Sequence, residues 1–247
     1  GFSSQGRIDV MSSLTVAYSA FKINKIYKEG RAVITFEIGH YTEFKLPKNL
    51  DIPTQLKETL QAVWDIKYDD LYERGGNSDV EAAFVEVMTA FGMPNDAISH
   101  QRYVYMAYGI ALAAKPTIKH YFPEEHKAEI VEGIISCWLK DSCEIPETWA
   151  DTLFPNINKI GKYQASNEAY NIFYGLLQTL NAKTAYNAIL DILYDAITGD
   201  AISGFAAAQR DMFNWWLIEV IPAAYCLKLP STLYSGKWEF PPLSQCA

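Results

Sequence analysis

Apolar and polar residues alternate in the first part of the chain, with the period of two that is typical of a β-strand. Residues 21–27 and 32–38 both show this alternation, and Gly30 between them can supply the positive φ of a hairpin turn. Residues 41–46 form a third short segment of the same kind. The pattern predicts a small β-hairpin or sheet within residues 14–46.

From residue 51 to about residue 229, apolar residues recur instead every three or four positions, which predicts amphipathic helices. The first predicted helix ends at the pair Gly75-Gly76. Ser78 followed by Glu81 has the spacing of a capping box and should open the second helix. The later helices are predicted at about residues 95–114, from 123 onwards, 167–180, 184–198 and 206–227.

Two of these helices carry a similar pattern sixteen residues apart. Tyr170-Asn171-Ile172 resembles Tyr186-Asn187-Ala188, and each triplet is followed by a pair of large aliphatic residues. Sixteen residues are too few for a solenoid repeat, so the pattern predicts the two arms of one helical hairpin. After the last helix, which should bend at Pro222, residues 232–240 are predicted as a short strand or hairpin beside the N-terminal one.

The predicted fold is therefore mainly α: an irregular bundle of about seven or eight helices with a small N-terminal β-hairpin or sheet. The C-terminal tail is expected to join that sheet. Residues 1–50 would form the β-element, packed on a helical domain of residues 51–247 in one compact unit, as the chain length allows.

The chain of 247 residues carries a formal net charge of −8, and this charge is unevenly distributed. Residues 11–50 hold six Lys or Arg and three Asp or Glu, whereas residues 51–247 hold 14 basic and 25 acidic residues. An acidic body repels the phosphates of nucleic acids and of anionic membranes. General nucleic-acid binding is therefore not expected.

The apolar stretches of the sequence are shorter than the ~18 residues that a membrane helix needs. The first residues also lack the apolar run of a signal peptide. The four cysteines form no CxxC pair or zinc-ligand spacing, so they are interpreted as thiols in a reducing compartment. Together these features predict a cytoplasmic protein.

The most specific acidic cluster is Asp69-Asp70-Leu71-Tyr72-Glu73, which would align carboxylates on one helix face. Oxygen ligands of this kind suit Mg²⁺. The order of these residues resembles the DDxxD/E motif of the class I isoprenoid synthases, an all-helical family. That resemblance implies a magnesium-dependent enzyme acting on a diphosphate or phosphate, with Asp191 and Asp195 as further metal ligands and Arg102 as a phosphate ligand. The alternative is a solvated acidic helix face.

Other motifs of catalysis are absent from the sequence, including metal-binding histidine pairs, nucleophile elbows and glycine-rich phosphate loops. The sequence therefore favours a non-catalytic binding or assembly protein that acts through protein–protein contacts and needs no cofactor. The predicted hairpin would present Lys22, Lys25, Lys28 and Arg31 to a protein partner or to a second copy of the chain. The magnesium enzyme remains the alternative.

Overall fold

Helices make up most of the part of the chain that a computed structural model describes, namely residues 39–140, 146, 148–155, 163–202 and 209–235. The helices are α1 Thr54–Trp64, α2 Val80–Phe91, α3 Ala97–Tyr121, α4 Lys127–Leu139, α5 Trp149–Leu153, α6 Gln164–Gln178, α7 Ala182–Leu193, α8 Gln209–Trp215, α9 Ile221–Tyr225 and α10 Thr232–Ser235. Two π-helical turns continue this pattern: Tyr194–Thr198 follows α7, and Trp216–Val220 joins α8 to α9. The prediction of a mainly helical fold is confirmed.

The predicted β-structure finds no support in the described residues, which contain no strand beyond one isolated bridge between Tyr68 and Ser78. Residues 41–46 are irregular, because their apolar side chains pack separately against helices. Phe44, for example, meets the Trp64 ring edge-on with the ring centroids 5.8 Å apart. The start of the predicted tail strand is the helical turn Thr232–Ser235. Residues 14–38 and 236–240 lie outside the described residues.

Helix α3 is the centre of the bundle and is buried over most of its length. A helix that is apolar around its whole circumference must be covered by neighbours on all sides. Helices α4, α6, α7 and α9 all pack against α3. The side chain of Asp96 caps its N-terminus by accepting hydrogen bonds from the backbone N–H groups of Ile98 and Ser99. The helix continues past the predicted end at residue 114 and includes Pro116.

The boundaries of α1 and α2 differ from the prediction. Helix α1 ends at Trp64 rather than at Gly75-Gly76, and the cap of α2 is Asp79 rather than Ser78. The Asp79 carboxylate accepts a hydrogen bond from the backbone N–H of Glu81. Residues 65–79 therefore form a loop, which is called the acidic loop below.

Helices α6 and α7 form the predicted helical hairpin, joined by residues 179–181. They approach closely at Gly175, where an added Cβ would lie only 2.8 Å from Cγ1 of Ile192. The glycine therefore permits the contact between the two helices.

The cysteines do not all follow the sequence interpretation. Cys137, near the end of α4, is disulfide-bonded and is not a thiol. Cys226 is a free cysteine and donates its S–H to the backbone oxygen of Asp51 over 3.3 Å. The prediction that the cysteines are thiols is therefore wrong for Cys137.

Candidate functional site

Arg210 of α8 contacts the end of helix α1, where the acidic loop begins. The last carbonyl groups of a helix have no partner within the helix and need other donors. The guanidinium of Arg210 donates a hydrogen bond to the backbone oxygen of Trp64, the last residue of α1. It also donates one over 2.8 Å to the backbone oxygen of Ile66, at the start of the loop. A residue far away in the sequence thus satisfies the last carbonyl group of α1.

The same guanidinium holds the middle of the loop through Glu73. Nη1 of Arg210 lies 3.1 Å from Oε2 of Glu73, and each of the two side chains is only 20% exposed. This carboxylate oxygen also accepts a hydrogen bond of 2.8 Å from the backbone N–H of Tyr68. Reduced exposure to water strengthens an ion pair of this kind, so Glu73 is a structural anchor of the loop.

Two further contacts close the acidic loop. The Asp70 carboxylate accepts a hydrogen bond of 3.0 Å from the backbone N–H of Val80, at the first turn of α2. Gly76 packs directly on the backbone of Tyr68, where a Cβ would lie 2.5 Å from the carbonyl carbon. Both ends and the middle of the loop are therefore held by specific contacts.

This anchored loop presents Tyr72 to solvent. The Tyr72 side chain is 86% exposed, the highest value among the large hydrophobic side chains of the described residues. Its backbone has φ of 56°, in the left-handed region that non-glycine residues rarely adopt. Local strain of this type persists only where surrounding contacts enforce it, and it often marks functional positions.

Most of the large exposed apolar side chains of the described residues lie in one stretch of the sequence, which contains this loop and helix α2. Five of the seven large ones fall between residues 66 and 98, whereas the other two are Tyr163 and Tyr194. The five are Ile66, Tyr72, Val85, Met93 and Ile98. Residues 65–96 also hold eight acidic residues and two basic ones. Exposed apolar groups within a charged rim are typical of protein-interaction surfaces.

The two other predicted metal ligands, Asp191 and Asp195, lie on α7 and on the π-helical turn that follows it. Burial and the nearby Glu168 carboxylate raise the pKa of Asp195 to about 7, although Asn171 donates a hydrogen bond that opposes this shift. Glu168 itself accepts hydrogen bonds from the backbone N–H of Asp200 over 2.5 Å and from the side chain of Gln164 over 2.8 Å. Glu168 was not predicted from the sequence.

The carboxylates predicted to bind metal thus have different neighbours. Asp70 and Glu73 hold backbone groups of the acidic loop, whereas Asp195 lies beside Glu168. In the described part of the chain, no group of three or more His, Cys, Asp and Glu side chains has an arrangement that could hold a metal ion. Their role as magnesium ligands stays a prediction.

Arg102, predicted as a phosphate ligand, packs against the end of α9. Its Nε donates to the backbone oxygen of Tyr225 over 2.9 Å, and its guanidinium lies 3.6 Å from the centroid of the Tyr225 ring. These contacts satisfy a carbonyl at a helix C-terminus. The predicted partner-binding residues Lys22, Lys25, Lys28 and Arg31 lie outside the described residues.

A cluster of four charged side chains joins α3 to α4 and was missed from the sequence. Lys115 Nζ lies 2.5 Å from Glu132 Oε1, and Lys119 Nζ lies 2.9 Å from Glu129 Oε1. Burial opposes ionisation of Glu129, but the ammonium groups of Lys115 and Lys119 lower its pKa below the usual range. Burial raises the pKa of Glu132, although Lys115 opposes this shift. A lysine within an apolar helix surface is the signal that could have revealed this cluster.

A second polar network joins both ends of the described chain to the π-helical turn Trp216–Val220. Tyr41 donates its hydroxyl hydrogen to Oε1 of Glu219 over 2.5 Å, and Thr232 donates to Oε2 of the same carboxylate over 2.9 Å. Burial and the contact with Glu219 raise the pKa of Tyr41. Next to this network, Nδ1 of His40 lies 2.8 Å from Asp211.

Comparison of the chain with protein-family models, with curated proteins and with solved structures finds no match. None of the described helices combines the length and the apolar character needed to cross a membrane. Inferences about function therefore depend on the residues and their contacts alone.

Proposed function

We propose that the protein is a non-catalytic binding or assembly protein, and that it binds a basic segment of a protein partner through the acidic loop and the outer face of α2. The observation that carries the proposal is Tyr72, which combines 86% exposure, a left-handed backbone and an anchored loop. Tyrosine contributes a large apolar area and a polar hydroxyl to an interface, and it loses little side-chain entropy on binding.

The anchoring contacts support this role because a preorganised loop has less conformational freedom to lose on binding. Arg210, Glu73 and Asp70 hold the loop in the unbound chain. The excess of acidic residues around Tyr72 favours a basic contact segment on the partner, since complementary charges speed association and like charges in contact disfavour it.

The alternative function, a magnesium-dependent enzyme acting on a diphosphate or phosphate, has less support. Asp70 and Glu73 already accept hydrogen bonds from backbone groups, and Glu73 pairs with Arg210. The cellular location also stays a proposal. The sequence predicts the cytoplasm, whereas the disulfide at Cys137 favours an oxidising compartment.

A photo-crosslinking amino acid placed at position 72 tests the proposed binding surface. We expect covalent adducts with a basic segment of a protein, identified by mass spectrometry of the crosslinked peptides, and no such adducts from the same group at position 163. Tyr163 is a matched control because it is also an exposed tyrosine, at 52%. Equal adducts from both positions, or none from position 72 in the presence of the source extract, would contradict the proposal.

A further inference from the structure

We infer that the partner is a second copy of this chain, whose basic segment 22–31 binds the acidic surface of the first copy. This inference rests on the proposed function and names its partner. The surface consists of the acidic loop and the outer face of α2, with the exposed apolar residues Tyr72, Val85 and Met93.

The charges of the two segments are complementary. Residues 65–96 contain eight acidic and two basic residues, whereas residues 22–31 contain four basic residues and a single acidic one, Glu29. The basic segment also carries Ile23, Ile26 and Tyr27, which could meet the exposed apolar side chains of the surface. A complementary interface needs this combination of opposite charge at the rim and apolar contact at the centre.

The start of the described chain lies close to the acidic loop. His40 contacts Asp211 over 2.8 Å, and the adjacent residue Arg210 contacts Glu73 of the loop over 3.1 Å. The seven residues 32–38 can span up to about 25 Å in an extended conformation, which is enough to reach a neighbouring molecule at this face.

Tyr72 is 86% exposed in the single chain and is therefore accessible to a second copy. Each copy offers one acidic surface and one basic segment. The basic segment of each copy can therefore bind the acidic surface of the other, as in the two-fold dimers that are the commonest soluble oligomers.

Sedimentation velocity at micromolar concentration tests the inference with two charge-reversed variants. The first variant, Asp69→Lys with Glu86→Lys, changes two exposed side chains of the acidic surface. The second, Lys25→Glu with Arg31→Glu, changes the basic segment. We expect the native protein to sediment with about twice the chain mass of 27.9 kDa, and each variant alone with the mass of one chain.

An equimolar mixture of the two variants gives the sharpest result. Each reversed surface then faces a partner of opposite charge, so we expect the mixture to recover the doubled mass. Added salt should weaken the dimer because it screens the charges. The control variant Glu124→Lys with Lys183→Glu reverses two exposed charges on other parts of the molecule and should keep the doubled mass.

A native protein that sediments as a single chain at every concentration would overturn the inference, as would a dimer that persists in both variants. A mixture that fails to recover the doubled mass would also overturn it. None of these results affects the proposed function, which fails separately if position 72 forms no specific adducts with any protein.

Discussion

The acidic loop and the α6–α7 region both contain several carboxylates, but these carboxylates have different partners in the two regions. In the loop, Glu73 pairs with Arg210 and Asp70 accepts a hydrogen bond from the backbone N–H of Val80. In the α6–α7 region, Asp195 lies beside Glu168 with no cation among the causes of its pKa shift. The carboxylates of the loop therefore accept hydrogen bonds and an ion pair, whereas burial and a neighbouring carboxylate raise the pKa of Asp195 in the other region.

This comparison shows that a run of acidic residues does not by itself identify a metal site. The partner of each carboxylate determines whether the charge anchors a backbone, repels a neighbour or remains in solvent. The following four experiments distinguish carboxylates that anchor the backbone from those that repel a neighbour or lie in solvent.

The largest effect is expected from Arg210→Met. This change leaves the Glu73 carboxylate without its cation and the carbonyl groups of Trp64 and Ile66 without their donor. Loss of one member of a partly buried ion pair should lower the free energy of unfolding by about 3 kcal/mol, measured by urea denaturation.

The double variant Arg210→Met with Glu73→Gln is the control for this pair. It should be more stable than the single Arg210 variant, because no uncompensated charge remains. Equal stabilities of the single and double variants would show that the two side chains are not coupled.

A smaller effect is expected from Asp195→Asn, and it should depend on pH. The pKa of Asp195 is raised from 3.8 to about 7 in the folded chain, so the native state binds more protons than the unfolded state between these values. Its contribution to stability is present below pH 3.8 and is lost as pH rises through about 7.

The Asp195→Asn variant should therefore be more stable than the native chain at pH 8, by roughly 2 kcal/mol after allowance for partial exposure. The difference should disappear at low pH. Thermal melts across the pH range measure it, with the exposed Asp69→Asn as the matched control. A native and a variant chain with parallel pH profiles would refute the raised pKa of Asp195.

A change of about 1 kcal/mol or less in stability is expected for Tyr72→Gly. Glycine removes the cost of the left-handed backbone but increases the freedom of the unfolded chain, so the two effects nearly cancel. The same variant should lose partner binding, measured by sedimentation. Retained association together with unchanged stability would remove Tyr72 from the binding surface.

The smallest effect is expected from Mg²⁺. A ligand that binds only the native state raises the melting temperature, so a thermal melt with millimolar Mg²⁺, with and without pyrophosphate, detects a specific site. We expect no shift, and none for the Asp69→Asn/Asp70→Asn control either. A magnesium-dependent rise that this double variant abolishes would favour the enzyme instead.

The sequence predicted the helical bundle and its hairpin of α6 and α7, because repeating apolar positions depend only on the local period of the helix. It missed the boundary of α1 because Trp64 and Ile66 are capped by Arg210, which is distant in the sequence. It also missed Glu168, since a single carboxylate has no motif until the fold brings Asp195 beside it.

Tyr72 was visible in the sequence within the acidic cluster but was not singled out. Its position between Leu71 and Glu73 on the predicted helix suggested no special conformation, and only the loop gives it a left-handed backbone and exposure. The glycine pair three residues later was a signal that could have suggested a loop, because glycines favour turns as well as helix ends.

By itself, the sequence determined the mainly helical class of the fold, the approximate positions of most helices and the acidic character of the body, because these depend on composition and local periodicity. The tertiary structure decided where α1 ends, which carboxylates are paired and which tyrosine is exposed. These features depend on contacts between residues far apart in the chain, such as Glu73 with Arg210 and Tyr41 with Glu219, and no local pattern encodes them.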